Sequence, residues 1–183
     1  VAWKPADDGD PLSGGSVEIT PPARLAVSDI HATTVMAGRH QADNAALAII
    51  AALQLDSLGI RVPAQAIRRG LSQATLPARV ERVATAPTTV VDAAHNVASM
   101  QALIESIAPL LQAPGRRVLV FAASADKQIE EMLECAAGRF DTVIVTRYAT
   151  PRRSAPTERL VEACRRAGLP APIVADNPAV ALA

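Results

Sequence analysis

Aromatic residues are scarce in this sequence of 183 residues, which contains one Trp, one Tyr and two Phe. Half of the residues are nonetheless hydrophobic, so the interior must be built from Ala, Val, Leu and Ile. The scarcity argues against a protein that binds single-stranded nucleic acid, because such proteins stack bases on aromatic side chains. The length and the apolar content together predict a soluble, globular protein of one or two domains.

An excess of charge of either sign is also missing, since 18 basic side chains balance 18 acidic ones. Basic pairs such as Arg116-Arg117 recur, but acidic residues lie between them, and no basic stripe indicates a polyanionic partner. We therefore expect no nucleic acid among the partners, and we interpret most of the arginines as solvated surface residues.

Cysteines and long apolar runs are equally sparse. Cys135 and Cys164 lie far apart in Ala-rich segments and outside any C-x-x-C pair, so both are predicted to be buried free thiols. No apolar run approaches the roughly 20 residues that span a bilayer, and residues 1–15 lack the features of a signal peptide. We expect no membrane contact and a cytoplasmic location. The chain starts with Val and stops soon after the helix start predicted at Asn177-Pro178, so we expect a piece of a longer protein.

The first part of the chain combines short strands with a long helix. Residues 1–37 contain the extended runs "SVEI", "RLAV" and "ATTVMA", separated by Gly and Pro pairs, which predicts a few antiparallel strands. The segment "DNAALAIIAALQLDSL" (43–58) is rich in helix formers and apolar on most faces, so it predicts a buried helix that stops at Gly59. Pro63 predicts the start of a second, shorter helix.

From Arg79 onward, apolar strands alternate with helices. The strand runs are "TTVVDA", "RVLVFAA", "DTVIVT" and "APIVAD", and the helices lie near 97–111, 127–138 and 156–167. This alternation predicts parallel β-α-β units and hence an α/β fold with a Rossmann-like, doubly wound, mostly parallel sheet. We predict at least four parallel strands, with Asp92, Lys127 and Arg147 at one edge of the sheet.

Polar residues follow three of these strands, at the carboxyl ends where such sheets bind ligands. They are Asp92, His95 and Asn96, then Ser124, Asp126 and Lys127, then Thr146 and Arg147. Asp92 or Asn96 alternatively starts the next helix as an N-cap, and a lone His after a strand is often only a hydrogen-bonded linker. The grouping favours a binding site but names no reaction.

Four blocks carry a resemblance to a known family. "GRHQADNAALAIIAAL" (38–53), "LPARVERV" (76–83), "VVDAAHN" (90–96) and "SADK" (124–127) resemble the second half of the folylpolyglutamate synthase and dihydrofolate synthase family, within the Mur ligase superfamily. The family wording is close to G-x-H-Q-x-x-N-A, W-P-G-R-x-E, D-G-A-H-N-P and D-K-D. The chain departs from that wording at five positions. Leu76 replaces the Trp, Ala78 and Ala93 each replace a Gly, Val97 replaces the Pro, and Gln128 replaces the second acid of D-K-D.

The resemblance implies an ATP-dependent amide ligase, in which ATP phosphorylates a substrate carboxylate and the amino group of glutamate attacks the acyl phosphate. It implies ATP with Mg²⁺, folate or dihydropteroate, and L-glutamate as ligands, and we expect a monomer. Such an enzyme works mainly by positioning and electrostatic stabilisation. Two alternatives stay open, a muramyl-precursor ligase of the same superfamily and a non-catalytic nucleotide-binding module on a Rossmann-like sheet.

The same resemblance implies roles for individual residues. Asn44 contacts the adenine nucleotide, Arg79 reaches a phosphate, and Asp92 binds the ribose hydroxyls. His95, the predicted catalytic residue, and Asn96 lie near the phosphate and the amino acid. Position in the sequence further predicts that substrate carboxylates meet Lys127, Arg152 and Ser154.

These assignments have structural alternatives. Arg79 is alternatively a plain surface residue. His40 and Gln41, the H-Q pair of the first block, alternatively only cap a helix or brace a domain junction. Lys127 is otherwise a cation at the start of a helix, where the helix dipole disfavours it.

The phosphate loop G-x-x-G-K-[ST] that the resemblance requires is missing from the chain, and we predict no metal ligands within it. Residues 1–78 are therefore expected to be the end of an ATPase domain, and residues 79–183 a Mur-ligase-type C-terminal domain. Alone, the chain is expected not to catalyse.

Overall fold

The computed structural model describes residues 1–23, 29–148 and 153–182. The chain divides into two compact units, Val1–Ala93 and Ala94–Ala183. The domain division after residue 78, made from the change of pattern in the sequence, stays a prediction.

The first unit begins with an antiparallel sheet of three strands, β1 (Ala2–Pro5), β2 (Gly15–Ile19) and β3 (Ile30–Thr34), with β2 in the centre. Buried and exposed residues alternate along β2 and β3, because successive side chains of a strand point to opposite faces. The strands predicted from "SVEI" and "ATTVMA" are confirmed, and the run "RLAV" lies outside the described residues.

Two helices, α1 (Arg39–Gln54) and α2 (Ala64–Gln73), follow this sheet. A 3-10 turn, Leu55–Leu58, extends α1 and ends at Gly59, whose φ of 77° is a left-handed value that favours Gly. Both predicted helices and the stop at Gly59 are confirmed. Sheet and helices share one apolar core, formed by Val17, Ile19, Ile30, Ala42, Ala46, Ile49 and Ile67.

The helix α1 is less buried than its composition predicts. Its buried residues are Gln41, Ala42, Ala45, Ala46 and Ile49, whereas Leu47 is 71% exposed and Ala48 and Ala51 are exposed as well. A helix that packs against one sheet buries a single stripe of its surface. The prediction that most of its faces are buried is therefore wrong for this chain.

A hairpin ends the first unit, with β4 (Glu81–Thr85) antiparallel to β5 (Thr88–Val91). The run "TTVVDA" is thus a strand, but the prediction that it joins a parallel sheet is wrong. Only two residues separate β4 from β5, and a parallel pair needs a crossover of a dozen or more residues. The short apolar run interpreted as a buried strand instead pairs with its immediate neighbour.

The second unit alternates helices and strands. Its elements are α3 (Val97–Ser106), α4 (Ala108–Gln112), β6 (Val118–Phe121), α5 (Ile129–Glu134), β7 (Thr142–Val145), α6 (Thr157–Arg166), β8 (Ile173–Val174) and α7 (Pro178–Ala181). The strands pair in parallel in the order β6-β7-β8, with α5 and α6 in the crossovers. The α/β fold with a parallel sheet is confirmed, but three parallel strands are found among the described residues where at least four were predicted.

Helix boundaries in this unit follow local chemistry. The helix predicted near 97–111 is two helices, because Pro109 lacks an amide N–H and is tolerated only in the first turn of a helix, which here is α4. The predicted start at Asn177-Pro178 is confirmed, since the Asn177 side chain accepts a hydrogen bond from the Val180 amide at 3.0 Å.

Candidate active site

The loop after β6 and the segment before α6 meet at the carboxyl ends of the parallel strands. Ser124 forms an antiparallel bridge with Ser154, and the amide of Ala125 donates to the Arg153 carbonyl at 2.9 Å. Parallel strands place their carboxyl ends on one edge, which is where open α/β sheets bind ligands. The structure thus brings the predicted residues Lys127 and Ser154 into neighbouring segments, while the predicted Arg152 lies outside the described residues.

The loop after β6 and the segment before α6, which together form what we call the cationic loop, carry Lys127 and Arg153 against Asp126. Lys127 Nζ lies 3.0 Å from Asp126 Oδ2, and the exposed fractions of the two side chains are 34% and 71%. The hydrogen bond from Lys127 holds the pKa of the Asp126 carboxyl below its usual value, and the charge of Arg153 adds a smaller part. Two cations against one anion make the loop suited to an incoming carboxylate or phosphate.

Arg159, which the sequence analysis missed, holds this loop from the first turn of α6. Its guanidinium donates to the carbonyls of Ala125 and Lys127. A cation in the first turn of a helix is disfavoured by the helix dipole, so these two acceptors account for its place there. The partners lie 34 and 32 residues apart in sequence, and no local pattern identifies them.

Thr146, directly after β7, is 2% exposed. Its amide donates to the Phe121 carbonyl at 3.0 Å, and its hydroxyl has no hydrogen-bond partner within residues 1–23, 29–148 and 153–182. Nearby, the Tyr148 amide donates to Ser154 Oγ at 3.3 Å. The third polar strand end predicted from the sequence is therefore folded into the same region as the loop after β6.

Asn96 is the N-cap of α3. Its side chain accepts a hydrogen bond from the Ser99 amide at 2.8 Å, and Ser99 Oγ accepts from the Asn96 amide at 3.1 Å, which completes a capping box. The His95 amide also donates to Ser99 Oγ, at 3.0 Å. Of the two N-cap alternatives left open, the structure selects Asn96, and His95 lies exposed at the start of the helix.

Asp92 and Arg79 come together in the first unit through a tight turn. Asp92 Oδ2 accepts a hydrogen bond from the Val80 amide at 2.8 Å, and the Ala93 amide donates to the Ala78 carbonyl at 2.9 Å. Arg79, which lies between Ala78 and Val80, is half-buried. Asp92 therefore braces the backbone around Arg79 rather than capping a helix.

Asn44 lies on the exposed side of α1, six residues into the helix. Its Nδ2 donates to Gln41 Oε1 at 3.2 Å, and Gln41 Nε2 lies 2.9 Å from His40 Nε2. Gln41 is 1% exposed, so its hydrogen bonds fix the amide of Asn44. The N-cap of α1 is Gly38 with no side-chain cap, which excludes the helix-cap alternative for His40 and Gln41.

Metal ligands and reactive thiols are not offered by these clusters. In the described ranges, no group of three His, Cys, Asp or Glu residues could hold a metal ion, so none of these residues is assigned to Mg²⁺. Cys164 is fully buried, and burial raises the pKa of its thiol to about 11, which makes it a poor nucleophile. Nor does any helix of the described chain have the length and apolarity to cross a membrane.

Comparisons with known proteins agree with this arrangement. The family described as Mur ligase, glutamate ligase domain, matches residues 78–183. A curated dihydrofolate synthase/folylpolyglutamate synthase of Mycobacterium tuberculosis is 36% identical over 119 residues, which are 63% of this chain. The chain spans only 24% of the length of that relative.

Solved structures give the same picture. Folylpolyglutamate synthase of Mycobacterium tuberculosis complexed with ADP has a TM-score of 0.79 and 27% identity, covering 100% of this chain and 38% of that one. A bifunctional folylpolyglutamate synthase/dihydrofolate synthase with Mn, AMPPNP and L-glutamate bound has a TM-score of 0.58 and 28% identity, covering 73% and 32%. The chain therefore belongs to the folylpolyglutamate synthase/dihydrofolate synthase family of the Mur ligase superfamily, as a C-terminal portion of a protein of that family.

Proposed function

We propose that the protein containing this chain is an ADP-forming ligase that joins L-glutamate to folate, to dihydropteroate or to both. The observation that carries the proposal is the cationic loop at the carboxyl ends of the parallel strands. Its two cations, Lys127 and Arg153, outnumber its one carboxylate, Asp126. Ser154 adds a hydroxyl. This loop lies within the part of the chain that matches the glutamate ligase domain. An amino acid with two carboxylates is the kind of ligand that such a loop attracts.

The reaction proceeds in two transfers. A carboxylate oxygen of the pterin substrate attacks the γ-phosphorus of ATP, and ADP leaves. The amino nitrogen of glutamate then attacks the acyl carbon, the amine loses a proton, and inorganic phosphate leaves. Both steps move negative charge, so fixed cations and hydrogen-bond donors stabilise the transition states.

The residues of the chain divide between the two substrates. Asn44, Arg79 and Asp92 bind the nucleotide, at its base, a phosphate and the ribose. His95 acts near the phosphate that is transferred, and Asn96 adds to its capping role a contact with the amino acid. The carboxylates of glutamate are bound by Lys127, Ser154 and Arg152.

In this scheme Asp92 both holds the Val80 amide and binds the ribose, and a comparison of two substitutions separates these roles. Asp92→Asn keeps an oxygen that accepts the Val80 amide but loses the charge, whereas Asp92→Ala loses both. A contact with ribose therefore predicts weaker use of ATP in both variants, with a stability loss confined to Asp92→Ala. Each charge-assisted hydrogen bond contributes about 1.5–3 kcal/mol.

The chain alone is proposed to lack activity, because it has no phosphate loop to hold ATP. Purified chain incubated with ATP, Mg²⁺, folate or dihydropteroate, and glutamate should form no ADP. The full-length protein should form ADP continuously, beyond the one equivalent released with the acyl phosphate, only when glutamate and one of the two pterin substrates are both present.

The test of the glutamate subsite uses Lys127→Ala in the full-length protein. Loss of one charge-assisted hydrogen bond should raise the KM for glutamate by about 10- to 100-fold and leave the KM for ATP within about twofold. Lys127→Arg should retain most of the affinity. Arg116→Ala is the matched control, because Arg116 is an exposed cation that contacts Thr142 at the amino ends of the strands.

Two results would contradict the proposal. ADP formation that depends on a muramyl precursor and not on folate or dihydropteroate would move the protein to another branch of the superfamily. An unchanged KM for glutamate in Lys127→Ala would remove the cationic loop from the amino-acid site.

A further inference from the structure

The backbone around Arg79 has an unusual conformation. Ala78 and Val80, the residues on either side of it, have φ values of 54° and 50°. Side chains with a Cβ disfavour this left-handed region, and for a β-branched residue such as Val it is a genuine outlier. Two such residues on either side of one arginine persist only when the surrounding structure holds them.

Two carboxylates from different parts of the hairpin hold this turn. Glu81 Oε2 accepts the Ala78 amide at 2.7 Å, and Asp92 Oδ2 accepts the Val80 amide at 2.8 Å. Val80 is 4% exposed, so its amide needs a partner inside the protein. The N–H groups on both sides of Arg79 are thus bound by acids, which fixes the direction in which its backbone runs.

The turn is also anchored one residue further along. The guanidinium of Arg82 donates two hydrogen bonds to the carboxylate of Asp10, at 2.7 and 2.5 Å. A bidentate pair of this kind is directional and strong for an exposed ion pair. It ties the start of β4 to the loop between β1 and β2, so the segment that carries Arg79 is fixed from two sides.

We propose that Glu81 is a positioning residue for Arg79, which orients the guanidinium for the phosphates of the nucleotide. The inference deepens the proposed function and rests on its assignment of Arg79 to a phosphate. A long flexible arginine loses less freedom on binding when its backbone is already fixed. Glu81 acts through one acceptor oxygen on a backbone amide, so its contribution to binding requires Arg79 to be present.

Glu81 is a cleaner probe of the turn than Asp92. The side chain of Asp92 is assigned to the ribose as well, so its variants change two contacts. Glu81 is exposed, and water can replace it at the Ala78 amide. Its loss therefore loosens the turn without leaving a buried group unpaired.

The experiment is a double-mutant cycle in the full-length protein, with kcat and KM measured for ATP and for glutamate. Glu81→Ala should lower kcat/KM for ATP by about tenfold, while the KM for glutamate stays within twofold. Glu81→Gln, which keeps an acceptor oxygen, should recover to within about threefold of wild type. Glu18→Ala, which removes an exposed carboxylate from the same unit, should match wild type.

The cycle distinguishes positioning from a plain structural role. If Glu81 acts through Arg79, adding Glu81→Ala to Arg79→Ala should lower kcat/KM for ATP no further than Arg79→Ala alone. Multiplicative effects of the two substitutions, or a Glu81→Ala variant with wild-type kinetics for ATP, would overturn the inference while the proposed function stands. Wild-type kinetics in Arg79→Ala would instead remove the phosphate role of Arg79, and the inference with it.

Discussion

The replacement of Ala78 by Gly should leave the chain with a higher free energy of unfolding than an Ala-to-Gly replacement at a position with ordinary backbone angles. The φ of Ala78 is 54°, and a residue with a Cβ is disfavoured in this region by about 1–2 kcal/mol relative to Gly. The hydrogen bonds of Ala78 to Glu81 and Ala93 use its backbone atoms, so Gly keeps them. Gly also stands at this position in the family wording W-P-G-R-x-E.

Two opposing terms reduce this gain. Gly has more freedom in the unfolded chain, which costs about 0.5–1 kcal/mol. Ala78 is half-buried, so its methyl group contributes part of the roughly 0.8 kcal/mol of a fully buried carbon. The matched control is Ala74→Gly, because Ala74 is exposed and has a φ of −69°. It carries the entropic cost without any relief of strain.

The difference between the two variants isolates the strain. We expect the free energy of unfolding of Ala78→Gly to exceed that of Ala74→Gly by about 1 kcal/mol. This difference is the strain energy that Gly relieves, minus the burial energy lost with part of a methyl group. Urea unfolding of the chain can be followed by the fluorescence of Trp3, the one tryptophan in the sequence, which packs against the core of the first unit. Equal free energies of unfolding for the two variants would refute a left-handed Ala78.

Three further predictions concern the second unit. Asn96→Ala should lower the free energy of unfolding by about 1 kcal/mol through loss of the cap, and Asn96→Asp should not; equal melts of the two variants would exclude the capping box. Hydrogen bonds from Arg117 lower the pKa of the Asp141 carboxyl to about 2. This contribution to stability is therefore complete above the unfolded value of 3.8 and is lost as the pH falls from about 4 to 2. Asp141→Asn should remove that part of the acid transition, and an unchanged acid melt would count against the ion pair. Iodoacetamide at pH 8 should label Cys135, which is partly exposed, well before the buried Cys164, and mass spectrometry showing the reverse order would contradict the packing of α6.

The family to which the chain belongs says more about its function than its fold class does. A parallel sheet with polar strand ends serves many unrelated activities. The four blocks quoted from the sequence select one family among them, and that selection is confirmed by the match to the glutamate ligase domain and by the curated relative. The roles of single residues within the site stay predictions.

The departure at Ala78 acquires a physical meaning only from the backbone. In the sequence it is one small residue in place of another within a linker. In the structure it lies in a left-handed turn that two carboxylates hold, where Gly is the residue without strain. The tolerance of Ala there depends on contacts made by residues further along the chain.

Features that arise within a few residues could be predicted from the amino-acid sequence. The helix stop at Gly59, the helix start at Asn177, and the strands and helices of the second unit follow from backbone preferences and caps. These signals are local, because a cap or a turn satisfies backbone groups two to four residues away. They therefore do not depend on where distant parts of the chain lie.

Contacts between distant groups were decided by the tertiary fold alone. The hydrogen bond from the Val80 amide to Asp92 and the contacts of Arg159 with the loop after β6 are examples. Hydrogen-bond partners that lie 12 or 34 residues apart in the sequence depend on where the backbone brings them, and short-range propensities carry no information on that path. The sequence around Asp92 left a helix cap open beside a ligand contact. The fold excludes the cap by placing the amide of Val80 against the Asp92 carboxylate, and the ligand contact stays a prediction.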